Sequence, residues 1–180
     1  GYGGVIHEMV EAKALDMGQY GHGNQPIQHM VYLYGHTSEP WKSQKWARTV
    51  MERAYKPTAD GYCGDEDNGQ TSMWYVLSAL GIYSVTPGAP EYALGSPLFE
   101  KITMTMPTGK TFVIEAKGNN DQNVYIKKAT LNGKEYTKNF LRYEDMQKGG
   151  KFELEMSATP NEKRGINPED RPFSMSNEKK

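Results

Sequence analysis

Pro87-Gly88-Ala89-Pro90 is the stretch on which the fold turns, because the hydrophobic period of the chain changes across it. Two prolines and a glycine in four residues do not continue a helix or a central strand. Before this break apolar residues recur at three- and four-residue spacing; after it they alternate with polar ones. Upstream, Val5 to Leu15 reads as a short amphipathic helix, after which Gly18, Gly21 and Gly23 open a loop carrying Gln19, Tyr20, His22 and Asn24. Pro26 suits the first turn of a second helix, with Ile27, Met30, Val31 and Tyr34 on one face. Ser38 and Pro40 introduce a third, in which Trp46, Val50 and Ala54 recur beside Ala47 and Met51. A fourth runs from Asn68 to Leu80, presents Met73, Trp74, Leu77 and Leu80 for burial, and stops at Gly81. Four such segments suggest two helical hairpins.

Downstream, Ile102, Met104 and Met106 alternate with polar residues, Pro107-Thr108-Gly109 turns the chain, and Phe112, Ile114 and Ala116 alternate back as a hairpin. Val124 to Lys127 makes another strand, Asn132-Gly133 is a two-residue hairpin signal, and Phe152, Leu154 and Met156 alternate after Gly149-Gly150. The expected class is α+β: a helical part over residues 1–87, a small antiparallel sheet or sandwich over 88–157, and a charged tail over 158–180. The tail holds Pro160, Pro168 and Pro172 and few large apolar residues.

Composition narrows the function. At 180 residues the chain can bury one sizeable core or two small ones. Its 21 basic and 22 acidic residues leave a formal charge of −1, so no global field recruits nucleic acid or an anionic membrane. A neutral ligand fits this balance better. The single cysteine, Cys63, excludes an internal disulfide and a cysteine-built metal site; without a histidine near it in sequence it reads as a small buried hydrophobe. No run reaches membrane-spanning length. The opening Gly1-Tyr2-Gly3-Gly4 has neither an initiator methionine nor a signal pattern, so the chain reads as a piece of a longer protein.

The chemistry concentrates in Gly64-Asp65-Glu66-Asp67-Asn68-Gly69-Gln70, three consecutive carboxylates between glycines where a helix begins. A helix N-terminus stabilises anions and a loop can aim side chains into a cleft. Asp67 with Gln70 three residues on forms a capping box, which accounts for one acid structurally; Asp65 and Glu66 are left over. The loop is not an EF-hand: counted from Asp65, position six is Gln70 rather than glycine and position twelve is Val76 rather than glutamate. In stacked hairpins the loops at one end gather, which brings Gln19 to Gln25 beside Asp65 to Asp67. Amides, acids and aromatics together suit a sugar.

These segments in combination resemble a known family. Gly23-Asn24-Gln25-Pro26, His29, Tyr32-Leu33-Tyr34, Pro40-Trp41-Lys42, Gly64 to Gln70, Trp74-Tyr75, Ser78 to Gly81 and Glu91-Tyr92-Ala93-Leu94-Gly95-Ser96-Pro97-Leu98-Phe99 are similar to the C-terminal part of the family 92 glycoside hydrolases, calcium-dependent exo-α-mannosidases. The resemblance runs from Gly18 to Met156. It implies that residues before Gly88 are closing helices of an (α/α)6 catalytic barrel and that the rest of that barrel is a partner of this chain.

The resemblance also implies inverting hydrolysis of terminal α-linked mannose, in which one carboxylic acid protonates the leaving oxygen and a carboxylate activates water. Asp67 matches the base position and Asp65 an assisting one, with the two pointing alike from an extended loop while Glu66 turns aside. The general acid is expected upstream, outside this chain, leaving the chain inactive by itself. Asn24, Gln25 and His22 are the expected substrate contacts, and calcium, with unassigned ligands, contacts the mannose hydroxyls. Gln25 stands where many α-1,2-specific members carry glutamate, which leaves the linkage open, including a mannosyl phosphodiester. The implied location is periplasmic or extracellular. The competing reading is a non-catalytic carbohydrate-binding or structural module in which the acids only cap a helix.

Overall fold

The computed structural model describes residues 6–177, so Val5 and the glycine-rich opening lie outside the described residues. The architecture is α+β. The first helix, α1, spans His7–Leu15 and buries only Leu15, with Ile6, Met9 and Val10 exposed. Its expected apolar face therefore has no cover among the described residues. The segment opened by Pro26 is not an α-helix: it forms two 3-10 turns, Gln25–Ile27 and Met30–His36. Their burial falls on Val31, Tyr32 and Gly35, the last two spaced by one turn of the tighter helix, while Met30 is exposed. Gly35 lets Pro172 pack close, since a Cβ there would stand 3.3 Å from the proline ring and push it back.

Helix α2, Trp41–Ala54, buries Ala47, Val50, Met51 and Ala54 as its spacing requires. Helix α3, Gln70–Ala79, starts two residues later than its sequence pattern suggested and buries Trp74, but Met73 is exposed. Around Trp74 the helical part packs as an aromatic cluster. His22 sits edge-on to Trp74 at 4.3 Å between centroids, Tyr55 stacks parallel to the same indole at 5.9 Å, and Tyr32 stacks on Tyr83 at 5.0 Å. The Trp74 indole N–H donates to the Gln28 carbonyl at 2.9 Å, so its one polar atom is satisfied in the core.

Two short strands, β1 (Ile82–Tyr83) and β2 (Glu91–Leu94), lie on either side of the proline-rich break and pair antiparallel. Their register puts Ile82 opposite Leu94 and Tyr83 opposite Ala93. Because alternate residues face opposite sides, Tyr83 and Ala93 join the helical core while Ile82 and Leu94 join the second core. This small sheet, completed by β7 (Phe140–Arg142), is thus a partition with a core on each face.

The second sheet has the order β3-β4-β8-β5-β6. The hairpin of β3 (Lys101–Thr105) and β4 (Thr111–Lys117) and that of β5 (Tyr125–Leu131) and β6 (Lys134–Glu135) are those the alternation and turn residues foretell. Asn132 and Gly133 both have left-handed backbone, at φ 51 and 79, as a type I′ turn demands. The sheet is nevertheless not purely antiparallel. Strand β8 (Gly150–Ser157) inserts between the hairpins, running parallel to β4 and antiparallel to β5. A parallel neighbour needs a long crossover, which here contains β5, β6, β7 and a short helix α4, Tyr143–Gln147.

Hydrogen bonds of two buried polar residues hold the tail. Arg164 is buried and donates to the carbonyls of Tyr136 and Lys138 and to the Asn139 side chain. Asp170 is 1% exposed, accepts from Thr137 and Asn167, and offers its carbonyl to the Asn139 N–H. Burial lowers the Arg164 pKa to about 10, and the nearby Asp170 carboxylate counters that shift.

Two outcomes test this packing. Asp170→Ala removes the acceptor that Thr137 and Asn167 use and takes a nearby negative charge from buried Arg164, a change that costs about 1–3 kcal/mol; trypsin should then cut after Lys163 or Arg164 under conditions where the wild type resists. The second outcome concerns His22, whose folded pKa burial pushes down to about 3 from the ordinary 6.5. The unfolded chain takes up a proton as pH falls below about 6.5 while the folded chain does not, so stability present at neutral pH is lost toward pH 3. Between pH 7 and pH 5 the advantage of wild type over His22→Gln in urea unfolding should shrink by about 2 kcal/mol.

Candidate active site

Two loops meet where α3 begins. The first carries Gly23, Asn24 and Gln25, the second Gly64 to Gly69. Contact is possible because both faces are glycine: a Cβ on Gly64 would stand 2.6 Å from the Gly23 Cα. The Gln25 amide nitrogen then donates to the Asp65 carbonyl at 2.9 Å and to Thr71 Oγ1 at 3.3 Å, and the Thr71 hydroxyl donates to the same carbonyl at 2.8 Å. The carbonyl of Asp65 is therefore fixed from two sides. The first loop and the acidic loop converge as the hairpin argument expected.

Within the acidic loop the three carboxylates part company. Glu66, not Asp67, serves the helix end: its side chain accepts from the Ser72 N–H at 3.1 Å and from the Ser72 hydroxyl. The expected capping box of Asp67 with Gln70 does not form, since the residue capping α3 is Gly69, with no side-chain cap. Nor is the loop extended at Asp67. Asp67, Asn68 and Gly69 have φ of 49, 58 and 97, three left-handed residues in succession. Alternation along a strand thus does not set the direction of Asp67; a left-handed turn does. Asp and Asn are the non-glycine residues that tolerate this conformation most readily, so Asp67-Asn68-Gly69 suits such a turn. Asp65 and Asp67 are both exposed, and among the described residues their carboxylates make no hydrogen bond.

Asn24 is exposed beside this junction and Gln25 is half-buried in it. His22 is elsewhere: it is fully buried, and both ring nitrogens are occupied. Its Nδ1 lies 2.7 Å from the Tyr20 hydroxyl and its Nε2 2.7 Å from the Tyr55 hydroxyl. Tyr55 donates its proton to the Thr71 carbonyl at 2.9 Å. The Tyr55 oxygen must therefore accept from His22 Nε2–H, which leaves Nδ1 to accept from Tyr20. The ring is the neutral Nε2–H tautomer, and burial raises the pKa of both flanking tyrosines. No atom of the His22 ring faces solvent, so its connection to the site runs through Tyr55 and Thr71.

Residues without a motif also converge here. A cleft of about 720 Å³ on the α1 side is lined by Asn24 together with Glu8, Asp16 and Gln19. The Glu11 carboxylate lies against Gly23 and Gly64, close enough that a Cβ on Gly64 would come to 3.0 Å. Only the helical spacing of Glu8, Glu11 and Ala12 on α1 could have signalled this. Beside the cluster, burial pushes the Cys63 thiol up to about 11, which suits packing rather than nucleophilic attack.

Comparison with known proteins places this geometry. The sequence matches the glycosyl hydrolase family 92 catalytic domain over residues 5–158. A protein of the fungus Arthroderma benhamiae described as an uncharacterized secreted glycosidase is 35% identical over 135 residues, covering 73% of this chain and 17% of its own length. Among solved structures, a family 92 inverting mannosidase of Bacteroides thetaiotaomicron superposes with a TM-score of 0.85 at 54% identity, over 97% of this chain and 24% of that one. A second family 92 α-mannosidase of the same bacterium gives 0.86 at 41% identity, over 91% and 22%. The chain therefore spans about a quarter or less of the length of these relatives. With a family match across most of its length and helices and sheets that follow the solved members throughout, this chain belongs to glycosyl hydrolase family 92.

Proposed function

We propose that this chain is the C-terminal part of an exported exo-α-mannosidase that removes terminal α-linked mannose with inversion. The observation that carries the reading is the division of labour in the acidic loop. Glu66 is spent on Ser72, whereas Asp65 and Asp67 stay exposed on a backbone that Gln25 and Thr71 hold in place. Asp67 acts as the general base that deprotonates the attacking water, and Asp65 assists by orienting it. The acid that protonates the leaving oxygen comes from the longer chain, as do the helices that complete an (α/α)6 barrel over the exposed Met9, Val10, Met73 and Val76. The 180 residues alone are accordingly inactive. Export to the periplasm or beyond accords with the secreted description of the fungal relative, and among the described residues no helix is long and apolar enough to cross a membrane.

Calcium belongs to this reading. Among the described residues no three histidine, cysteine or acidic side chains converge to hold a metal. The oxygens at the loop junction are the amides of Asn24 and Gln25, hard donors of the kind calcium accepts. They would fill a fraction of the about six to eight positions such an ion takes, the remainder coming from the longer chain and the sugar. Bound there, the ion would supply positive charge to the mannose hydroxyls.

Gln25 has a local role besides any contact with the leaving group. Its amide nitrogen donates to Asp65 and Thr71, which a glutamate cannot do. Departure from glutamate at this position thus has a structural cause as well as a consequence for linkage.

Three variants of the longer protein separate these roles. Asp67→Asn should lower kcat on α-mannobioses by a factor of about 100 or more with unchanged thermal stability, since it removes a base without disturbing packing. Glu66→Ala should do the reverse, costing about 1 kcal/mol of stability with kcat kept within a few-fold. Turnover indifferent to Asp67→Asn would instead leave the acidic loop with a structural role alone. Gln25→Glu should cost about 1–3 kcal/mol through the lost donor and repulsion at the Asp65 carbonyl, read as a lower unfolding midpoint together with reduced kcat.

A further inference from the structure

A second cleft, away from the loop junction, has no part in the chemistry above. It lies between α2 and the loop that leads from β4 to β5, encloses about 590 Å³, and is lined by Lys45, Glu52, Tyr75, Asp121, Gln122 and Tyr125. Small-molecule sites occupy about 300–1,000 Å³ and favour the seams between structural units. This one lies where the helical part meets the second sheet.

Its outer wall is built, not incidental. Arg48 is buried and donates to the Pro97 carbonyl at 2.6 Å, to Asn119 Oδ1 at 3.1 Å and to the Asn120 carbonyl at 3.1 Å. The Asn120 side chain accepts from the N–H groups of Gln122 and Asn123, and Asn123 donates back to the Gly118 carbonyl. A loop so pinned holds Asp121 and Gln122 in fixed positions while both side chains remain exposed. Beside that loop, Tyr125 packs edge-on to Trp41 at 6.1 Å between centroids, and the Tyr75 ring lies 4.7 Å from that of Tyr55. These contacts restrain two tyrosine rings that line the cleft.

We infer that this cleft is a second binding site for a neutral oligosaccharide, a non-catalytic hold on a longer mannose-containing chain. Lys45 and Arg48 balance Glu52 and Asp121, so the cleft selects neither an anion nor a cation. Planar polar groups at Asp121 and Gln122 suit pairs of neighbouring hydroxyls, and tyrosine rings suit the C–H faces of a pyranose. The inference rests on the mannosidase reading for the identity of the sugar. Its geometric basis does not use Asp65 or Asp67, neither of which lines it; Tyr55, whose hydroxyl serves His22 and Thr71, contributes its ring to the cleft wall.

The test uses the longer protein carrying Asp67→Asn, so that bound sugar is not consumed, titrated calorimetrically with α-linked mannotriose. Two molecules should bind per chain, and the added pair Gln122→Ala and Tyr125→Ala should reduce this to one. In the otherwise wild-type enzyme the same pair should leave kcat/KM on an aryl α-mannoside within twofold and lower it at least fivefold on polymeric mannan, through KM. A stoichiometry of one before the pair is introduced, or an equal fall on both substrates, overturns the inference. Absence of hydrolysis of any mannoside by the wild type overturns the mannosidase reading instead; the cleft is then judged by whether the pair Gln122→Ala and Tyr125→Ala abolishes the mannotriose binding that remains.

Discussion

A neutral histidine buried between two tyrosine hydroxyls is the constraint on which this chain depends. Tyr20 comes from the glycine-rich loop and Tyr55 from the end of α2, and the proton order through His22 ends on the Thr71 carbonyl in the first turn of α3. Three segments far apart in sequence are thereby joined by directional bonds inside an apolar cluster. In such surroundings an unpaired polar atom is expensive, so the network tolerates one arrangement rather than several. Thr71 turns that order outward, because its hydroxyl and Gln25 together fix the backbone of Asp65. The exposed acids inherit their position from a core that contains no acid.

The small β1-β2-β7 sheet extends the same logic to the second half. Its strands are only a few residues long, yet each face belongs to a different core, so the helical part and the large sheet cannot shift independently without exposing one of them. The tail adds a polar lock on the far side through Arg164, Asn139 and Asp170. Buried charges of this kind add little net stability compared with apolar packing, but their loss is costly, which favours a single seating of the tail.

Much was legible in the residues themselves, and where reading failed the cause is physical. Alternation and Asn132-Gly133 placed both hairpins because a pleated strand has a fixed period and a type I′ turn a fixed chemistry. The parallel seat of β8 was not legible, since nothing local distinguishes a strand that joins one neighbour from a strand that joins two. The Pro26 segment has a helical apolar pattern but forms 3-10 turns because Tyr32 and Gly35 must face the core together, against Ser78 and Pro172. His22 stood in a loop of hydrogen-bonding residues that suited a sugar, yet its Nε2 partner, Tyr55, lies 33 residues away where the loop sequence gives no sign of it.

The amino-acid sequence by itself determined the α+β class, the break at residue 87, the strand turns, the acidic loop and membership of family 92. These depend on local period, turn chemistry and motif order, which are written along the chain. Only the tertiary structure decided which carboxylate serves the helix and which remain exposed. Three adjacent acids are chemically alike until Ser72, Thr71 and Gln25 arrive from α3 and the first loop to distinguish them. The same is true of His22, whose neutrality follows from burial and from the direction of two hydroxyl protons, neither of which a linear sequence carries.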